Sequence, residues 1–337
     1  MNEGRYARFV RMRITAIRIA GCLVASALIS AQGIGAPPAS LDARALGEAS
    51  GATATKTPDG VVKIAWPRTD VTVTVDGMTL PPAAGLGSWA AFAPMATGAM
   101  VMGDTVVFED EVDAAMDAAF THGLAVTALH NHFFHDTPKV YFMHIGGEGQ
   151  AEALAAGVKA VWGAIRAVRS THPQPATGFG GATPAPGHVD ADAVSKIVGQ
   201  PATDNQGVAK ITIGRTGTMQ GMAVGGSMGL TTWAAFSGSD ALAAMDGDFI
   251  MAAAEVQPVL HALRKAAVHI VALHSHMIGE HPSFYFTHFW STGKAEDLAH
   301  AFHAALDAQA AVKKPRPSSA GTSMLGIPHV VVRTLAH

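Results

Sequence analysis

Six histidines occupy matched positions in two distant parts of this 337-residue chain. The segment LHNHFFHDTPKVYFMHI (129–145) returns, at an offset of 144 residues and without a gap, as LHSHMIGEHPSFYFTHF (273–289). The histidines kept in both copies are His130, His132, His144, His274, His276 and His288. Three neutral imidazoles are suitable ligands for a divalent transition metal. The pattern therefore predicts one metal site per copy, or one composite site between the copies. Zinc is the expected ion, and copper, iron, nickel and manganese also suit these ligands.

The spacing of these histidines suits a pair of strands. Residues i and i+2 of a strand point to the same face, about 7 Å apart, so His130 and His132 would present their imidazoles side by side. If the loop 133–139 closes an antiparallel hairpin with an even register, His144 lies on that face, opposite or diagonal to His130. An odd register would turn His144 away, and the sequence leaves this open.

One carboxylate per copy accompanies the histidines. Asp136 and Glu280 occupy equivalent positions in the two loops. Each is predicted to be a catalytic group, acting as a general base on metal-bound water, or alternatively a fourth ligand.

Two other interpretations of the histidines stand beside the metal site. They could be structural, bonded to backbone in a core or forming a polar seam between the halves, or they could bind a ligand or move protons without a metal. The neighbours Phe133, Phe134 and His135 changed to Met277, Ile278 and Gly279 while all six histidines were kept. That selective retention favours the metal site.

The duplication extends over a domain-sized segment. Three matched pairs stand out. Trp89/Trp233 are interpreted as core residues, with a ligand-stacking wall as the alternative, and Asp104/Asp248 as turn residues, with a carboxylate near the histidines as the alternative. Glu111/Glu255 are interpreted as helix-start caps. In each half, alternating strands and amphipathic helices occur without βαβ alternation. The predicted fold class is α+β, with two homologous halves of mixed or antiparallel sheets and flanking helices, related by a pseudo-twofold axis. The predicted repeats are 41–171 and 189–312, joined by a Pro/Gly-rich linker (172–188) and followed by a tail (313–337).

The N-terminus predicts export. Five arginines precede the apolar stretch Ile19–Ile29, and small residues follow, so residues 1–31 are interpreted as a signal peptide of a secreted or periplasmic protein. The stretch is short for a membrane span, although an uncleaved anchor is the alternative. The only cysteine, Cys22, has Arg18 just before it and the apolar residues after it, an order that disfavours lipoprotein anchoring.

Composition limits the partners of the mature chain. Without residues 1–31 it carries 18 Lys and Arg against 25 Asp and Glu, a formal net charge of −7, so nucleic acid is excluded as an expected partner and no membrane span is predicted. Gly225-Gly226-Ser227-Met228-Gly229 has the letters of a Gly-x-Ser-x-Gly motif but lacks the strand–helix context of a nucleophile elbow, and no Walker, dinucleotide or HExxH motif occurs. Two functions remain: a metalloprotein, whose expected reaction is metal-assisted hydrolysis if it is catalytic, or a non-enzymatic envelope protein binding a small molecule or cell-envelope component between its halves.

These segments resemble a known family. GLGSWAAF, AMVMGDTVVFEDEV and VTALHNHFFHDTPKVYFMHI, with TTWAAF, DGDF, EVQPV and HSHMIGEHPSFYFTHFW, are similar to the LppY/LpqO family, also called DUF1259. The resemblance covers about residues 40 to 310. It implies a tandemly duplicated, exported bacterial protein, with the family's histidines at the six positions given above, and it implies no activity. The family's basic residue after the loop proline is Lys139 in the first copy but Ser283 in the second, which argues against an anion site in both loops.

Overall fold

The computed structural model describes residues 40–312. The predicted signal peptide, Cys22 and the predicted tail lie outside the described residues.

The two repeats contain the same elements in the same order. The first consists of α1 (Ala43–Ser50), β1 (Ala54–Lys56), β2 (Val62–Pro67), β3 (Thr74–Val75), β4 (Met78–Thr79), β5 (Gly87–Pro94), β6 (Ala99–Phe108), α2 (Val112–Thr121), β7 (Ala125–His130), β8 (Asp136–Thr137), β9 (Val140–Gly149) and α3 (Ala151–Thr171). The second consists of α4 (Ala191–Val198), β10 (Ala202–Asn205), β11 (Val208–Gly214), β12 (Gly217–Met219), β13 (Met222–Val224), β14 (Thr231–Gly238), β15 (Ala243–Ala252), α5 (Ala253–Lys265), β16 (His269–His274), β17 (Glu280–His281), β18 (Phe284–Gly293) and α6 (Ala295–Val312).

Twelve of the strands form one continuous sheet that crosses both repeats. Its order is β1-β2-β5-β6-β9-β7-β16-β18-β15-β14-β11-β10, and the neighbouring strands are antiparallel. The order of the second half mirrors that of the first, and the halves meet where Leu129 of β7 pairs with Leu273 of β16. The predicted α+β class with two homologous halves about a pseudo-twofold axis is confirmed, and the halves share a sheet.

The helices cover one face of this sheet. Alternate strand residues, such as Leu129 in β7 and Met143 and Ile145 in β9, point to that face and join apolar helix residues in one buried core. The core contains residues of both repeats, so neither repeat has a separate core on this side.

Two small three-stranded sheets pack on the other face. They are β4-β3-β8 and β13-β12-β17. Each covers a small apolar cluster, which includes Val73, Phe108 and Phe142 in the first repeat and Leu230 and Phe286 in the second. The histidine loops run into these small sheets through β8 and β17.

A predicted hairpin turn joins β3 to β4. Asp76 and Gly77 have φ values of 48° and 81°, the two positive angles that a type I′ turn requires. The predicted strand around it is shorter than expected, because Val71 and Val73 precede β3 and are buried in the small cluster instead.

Candidate metal centres

The β7–β9 hairpin brings His130 and His144 together. His130 pairs with Phe142 and Ala128 pairs with His144, so the two histidines are diagonal neighbours on one face. This is the even register on which the predicted site depends. The Nε2 atoms of His130 and His144 are 3.0 Å apart.

His132 completes the group from the loop that follows β7. Its ring stacks on Phe142 with centroids 3.4 Å apart and lies 5.1 Å from the ring of His130. Stacking on Phe142 therefore holds the ring of His132 in place, although β7 ends at His130, two residues before it.

The second repeat reproduces this arrangement. His276 stacks on Phe286 at 3.4 Å, and the ring of His274 lies 5.0 Å from that of His276 and 4.9 Å from that of His288. One ring nitrogen from each of the three histidines lies within 4.8 Å of the others. Three nitrogens at this spacing can converge on a single metal ion.

Each centre has a carboxylate near its imidazoles, which was the alternative interpretation of Asp104 and Asp248. Asp104 pairs directly with His144, and Asp248 pairs directly with His288. An Asp104 Oδ1 lies 3.8 Å from His144 Nε2, and an Asp248 Oδ2 lies 3.4 Å from His276 Nε2. The interpretation of both aspartates as turn residues is wrong, because they lie within β6 and β15. The doubled Gly-Asp at the constant offset is the sequence signal for this carboxylate.

One oxygen of each aspartate lacks a partner. Within residues 40–312, Oδ1 of Asp104 and Oδ1 of Asp248 are buried and accept no hydrogen bond. A buried acceptor without a partner costs about 1–3 kcal/mol. A cation beside the imidazoles would offset that cost.

Burial sets the protonation of both centres. It raises the pKa of Asp248 to about 6, against the opposing effect of His274, and it raises the pKa of Asp104. Burial, and then the neighbouring histidines, lower the pKa of His132 and His276. Metal binding requires neutral imidazoles, so the lowered pKa values favour the form of these two histidines that can bind an ion.

A glycine precedes each aspartate for a steric reason. A Cβ at Gly247 would lie 2.3 Å from both the Cζ atom of Phe289 and the carbonyl oxygen of Trp233, and a Cβ at Gly103 would lie 2.8 Å from the carbonyl oxygen of Trp89. Gly103 and Gly247 face the helix side of the sheet, where there is no room for a side chain. Since strand side chains alternate, the aspartate that follows each glycine points to the histidine face.

Asp136 and Glu280, predicted to lie in the loops, are the first residues of β8 and β17, and each accepts a hydrogen bond from the backbone. Oδ2 of Asp136 accepts a hydrogen bond from Val140 N at 2.7 Å, its Oδ1 accepts one from Lys139 Nζ at 3.0 Å, and Oε1 of Glu280 accepts one from Phe284 N at 2.9 Å. Both carboxylates are buried. These bonds indicate a loop-closing role, and the catalytic role of the two acids stays a prediction.

The duplicated tryptophans lie beside Asp104 and Asp248. Trp89 pairs with Asp104 and Trp233 with Asp248, and both rings are half-buried, with Lys63 Nζ 5.4 Å and Lys210 Nζ 4.6 Å from their centroids. The interpretation as core residues is wrong, because this register places them on the histidine face. They form a side wall of each centre.

The paired glutamates form buried ion pairs. Glu111 accepts hydrogen bonds from both Nη atoms of Arg68 at 2.8 Å, and Glu255 accepts one from Arg215 Nη2 at 3.0 Å. Glu111 Oε2 accepts a hydrogen bond from Phe108 N at 2.8 Å, and Glu255 Oε2 accepts the matching bond from Ala252 N at 2.9 Å. Each glutamate thus binds a backbone N–H at the start of its helix, as the helix-start interpretation expects, in addition to its arginine.

The fold and the site define a class of protein with two α+β repeats and one three-histidine group in each repeat. The family model described as Domain of Unknown Function (DUF1259) matches residues 44–164 and 192–308. The chain belongs to the DUF1259 family, in tandem duplicate, as predicted. The name LppY/LpqO stays a prediction. No curated protein matches this chain.

Several solved structures show distant likeness. The ethanolamine utilization protein EutL from Leptotrichia buccalis C-1013-b is 11% identical over 62% of this chain and 80% of that chain, with a TM-score of 0.18. The trimeric bacterial microcompartment shell protein PduB is 11% identical over 76% and 89%, also with a TM-score of 0.18. The fused permuted hexameric shell protein MSM0275 is 15% identical over 66% and 89%, with a TM-score of 0.17. Scores this low carry no argument about fold or function.

None of the helices within residues 40–312 combines the length and the apolar character that crossing a bilayer requires.

Proposed function

We propose that each repeat binds one divalent transition-metal ion, with zinc the expected metal. The observation that carries this proposal is the convergence of three imidazole nitrogens in the second repeat and the matching group of three imidazole rings in the first, each beside a buried aspartate oxygen that accepts no hydrogen bond among the described residues. The ligands in the first repeat are His130, His132 and His144. Those in the second are His274, His276 and His288.

Asp104 and Asp248 are the proposed fourth groups. Each lies directly across from a histidine of its centre and has an oxygen free to accept a proton or a cation. Asp136 and Glu280 remain the alternative, but their bonds to Val140 N and Phe284 N would have to break first. We therefore place Asp104 and Asp248 ahead of the loop acids.

If the centres are catalytic, the reaction class they fit is hydrolysis. A bound zinc ion supplies Lewis-acid chemistry. Asp104 or Asp248 would hold the proton released in the reaction, while Trp89 or Trp233 would bound the substrate on one side. The half-buried rings and open sheet face leave room for a substrate to approach.

A purely structural role for the histidines accounts for less of the geometry. One imidazole could donate a hydrogen bond from Nε2 of His130 to Nε2 of His144. That bond leaves Oδ1 of Asp104 and Oδ1 of Asp248 without a partner in the described part of the chain. A metal ion satisfies both sets of atoms at once.

Calorimetric titration of the apo-protein with Zn²⁺ tests the binding. We expect two sites per chain, one of which is lost in His144→Gln and the other in His288→Gln. For hydrolysis, p-nitrophenyl acetate and bis-p-nitrophenyl phosphate would be assayed before and after chelation. Zn²⁺-dependent turnover, lowered in each single variant and lost in the double variant His144→Gln/His288→Gln, supports a hydrolase, while tight Zn²⁺ binding without turnover leaves a metal-binding protein.

We also propose that the chain is exported. The Arg-rich start and the apolar stretch Ile19–Ile29 support this. Intact-mass measurement of the protein recovered outside the cytoplasm should show loss of about the first 31 residues, unchanged by Cys22→Ala. A full-length mass, or a lipid adduct lost in Cys22→Ala, would contradict the proposal in this form.

A further inference from the structure

A cavity of about 750 Å³ lies at the junction of the two repeats. Its walls come from the first repeat, the linker and the second repeat. The lining residues that matter here are Glu109, Asp110, Tyr141, Phe179, His269 and Trp290. This volume is in the range of sites that hold small organic molecules.

The cavity lies where the two central strands, β7 and β16, diverge. β7 ends at His130, whereas β16 begins at His269, and Leu129–Leu273 is the pair that joins them. The first residues of β16 thus line the cavity. The linker closes one side: Phe179 stacks on His269 at 3.6 Å, and Ala176 N donates to Asp110 Oδ2 at 3.0 Å.

The duplication provides an internal control for these residues. At the matched positions of the other repeat, the fold is maintained with small or neutral side chains. The pairs are Glu109/Ala253, Asp110/Ala254, Asp113/Gln257, His269/Ala125 and Trp290/Gly146. There, Gln257 bonds both the N–H and the carbonyl of Val126, at 3.1 and 2.7 Å. The acidic and aromatic side chains of the cavity are therefore not required by the fold.

The charge of the cavity is negative. Arg169 pairs with Asp110 and with Glu111. Arg264 likewise serves two carboxylates, Asp113 at 2.8 Å and Asp117 at 2.9 Å. Arg68 also pairs with Glu111 and with Asp70, so three guanidinium groups face five carboxylates before Glu109 is counted.

The cavity wall carries an acid and two aromatic surfaces. Asp110 lines the cavity and binds Arg169 and Ala176 N through Oδ2, while its Oδ1 is buried behind the wall without a hydrogen-bond partner in the described part of the chain. The aromatic surfaces of Phe179, which is 54% exposed, and of Trp290 lie in the same wall. A cation is attracted both to carboxylates and to aromatic faces.

We propose that this cavity binds an organic cation with a flat apolar body, such as an aromatic ammonium compound. The ammonium group lies against Glu109 and Asp110, and the apolar body lies against Phe179 and Trp290. The site is separate from the histidine centres and does not depend on their metal.

The test is calorimetric titration of the full chain with benzyltrimethylammonium, with benzyl alcohol and benzoate as neutral and anionic counterparts. We expect saturable binding of the cation, at least tenfold tighter than either counterpart. Phe179→Ala and Glu109→Ala should each weaken it by about three- to thirtyfold. Glu109→Ala installs the residue of the matched position, Ala253, so the fold should tolerate it.

Phe134→Ala is the matched control, because Phe134 is 81% exposed and lies outside the cavity lining. It should leave the affinity unchanged. Circular dichroism of each variant checks the fold. No saturable binding, benzoate binding as tightly as the cation, or equal affinity in all three variants would overturn the proposal.

Discussion

Asp248 and Asp104 are the residues on which the proposed metal centres depend beyond their histidines. Each is held within a strand, directly across from an imidazole, with one buried oxygen that accepts no hydrogen bond among residues 40–312. Burial raises the pKa of both carboxyls, because it disfavours a charged carboxylate that no cation compensates.

Replacing Asp248 by Asn should therefore weaken the second centre alone. We expect the affinity for Zn²⁺ there to fall by about 10- to 100-fold, because the group that orients the imidazoles or binds the ion loses its charge. Competition against a chromogenic chelator measures it.

Asp246→Asn is the control for this change. Asp246 lies two residues earlier on the same strand and the same face, and burial raises its pKa as well. It should change the affinity by less than about twofold. Equal losses in both variants would contradict a specific role for Asp248.

The sequence could identify the histidines but not the aspartates as one group. The constant offset of 144 residues and the retention of three histidines in each copy were visible in the letters alone. That Asp104 faces His144 depends on the pairing of β6 with β9 across a chain separation that no local pattern encodes. The sequence does not reveal Arg68 and Arg215 as an equivalent pair. A three-residue difference in length between the two repeats moves this pair off the common offset.

At the scale of elements, the fit between neighbouring strands positions the carboxylates. Gly247 in β15 allows Phe289 and the Trp233 carbonyl to approach the backbone. A side chain at this position would push the neighbouring strands apart.

Gly247→Ala should lower the free energy of unfolding by about 1–3 kcal/mol because of this overlap. Urea denaturation would measure the change. Gly163→Ala is the matched control, because its added Cβ meets nothing within 4 Å in the middle of α3. Replacing a glycine in a helix should instead stabilise the protein, by about 0.5–1 kcal/mol. Two changes of the same sign would be inconsistent with the packing argument.

The contact between α2 and α5 should be sensitive to pH. The ring of His261 stacks on Phe120 at 3.9 Å, and burial lowers the pKa of His261. The unfolded state then binds this proton more readily than the native state, so stability decreases as the pH falls below about 6.5 and through the lowered pKa.

His261→Gln should remove that part of the pH dependence. The measurement is urea unfolding between pH 5 and pH 8, with His300→Gln, an exposed position on α6, as the control. An unchanged pH profile in His261→Gln would contradict the assignment.

The element types were predictable because their patterns are local. Alternation gave the strands, and Asp76-Gly77 gave a hairpin turn whose two positive φ values the structure shows. The joining of both halves into one sheet was not predictable, because it depends on Leu129 and Leu273 meeting across the pseudo-twofold axis.

At the scale of the whole molecule, one core links the repeats. Leu129 and Leu273 are both buried at the junction and belong to a cluster that runs through both halves. Unfolding one repeat would expose the core and the sheet edge of the other.

Leu273→Ala should therefore destabilise both repeats together, by about 2–5 kcal/mol. Hydrogen exchange followed by mass spectrometry would report on each repeat separately. Matched increases in exchange in the two cores are expected. Faster exchange confined to residues 189–312 would show that the repeats unfold independently.

Element analysis of the purified protein, after reconstitution with Zn²⁺ and dialysis, tests the central claim most directly. The account predicts two ions per chain, one fewer in His130→Ala/His132→Ala and one fewer in His274→Ala/His276→Ala. Protein that retains no metal under these conditions, or double variants that retain both ions, would contradict it.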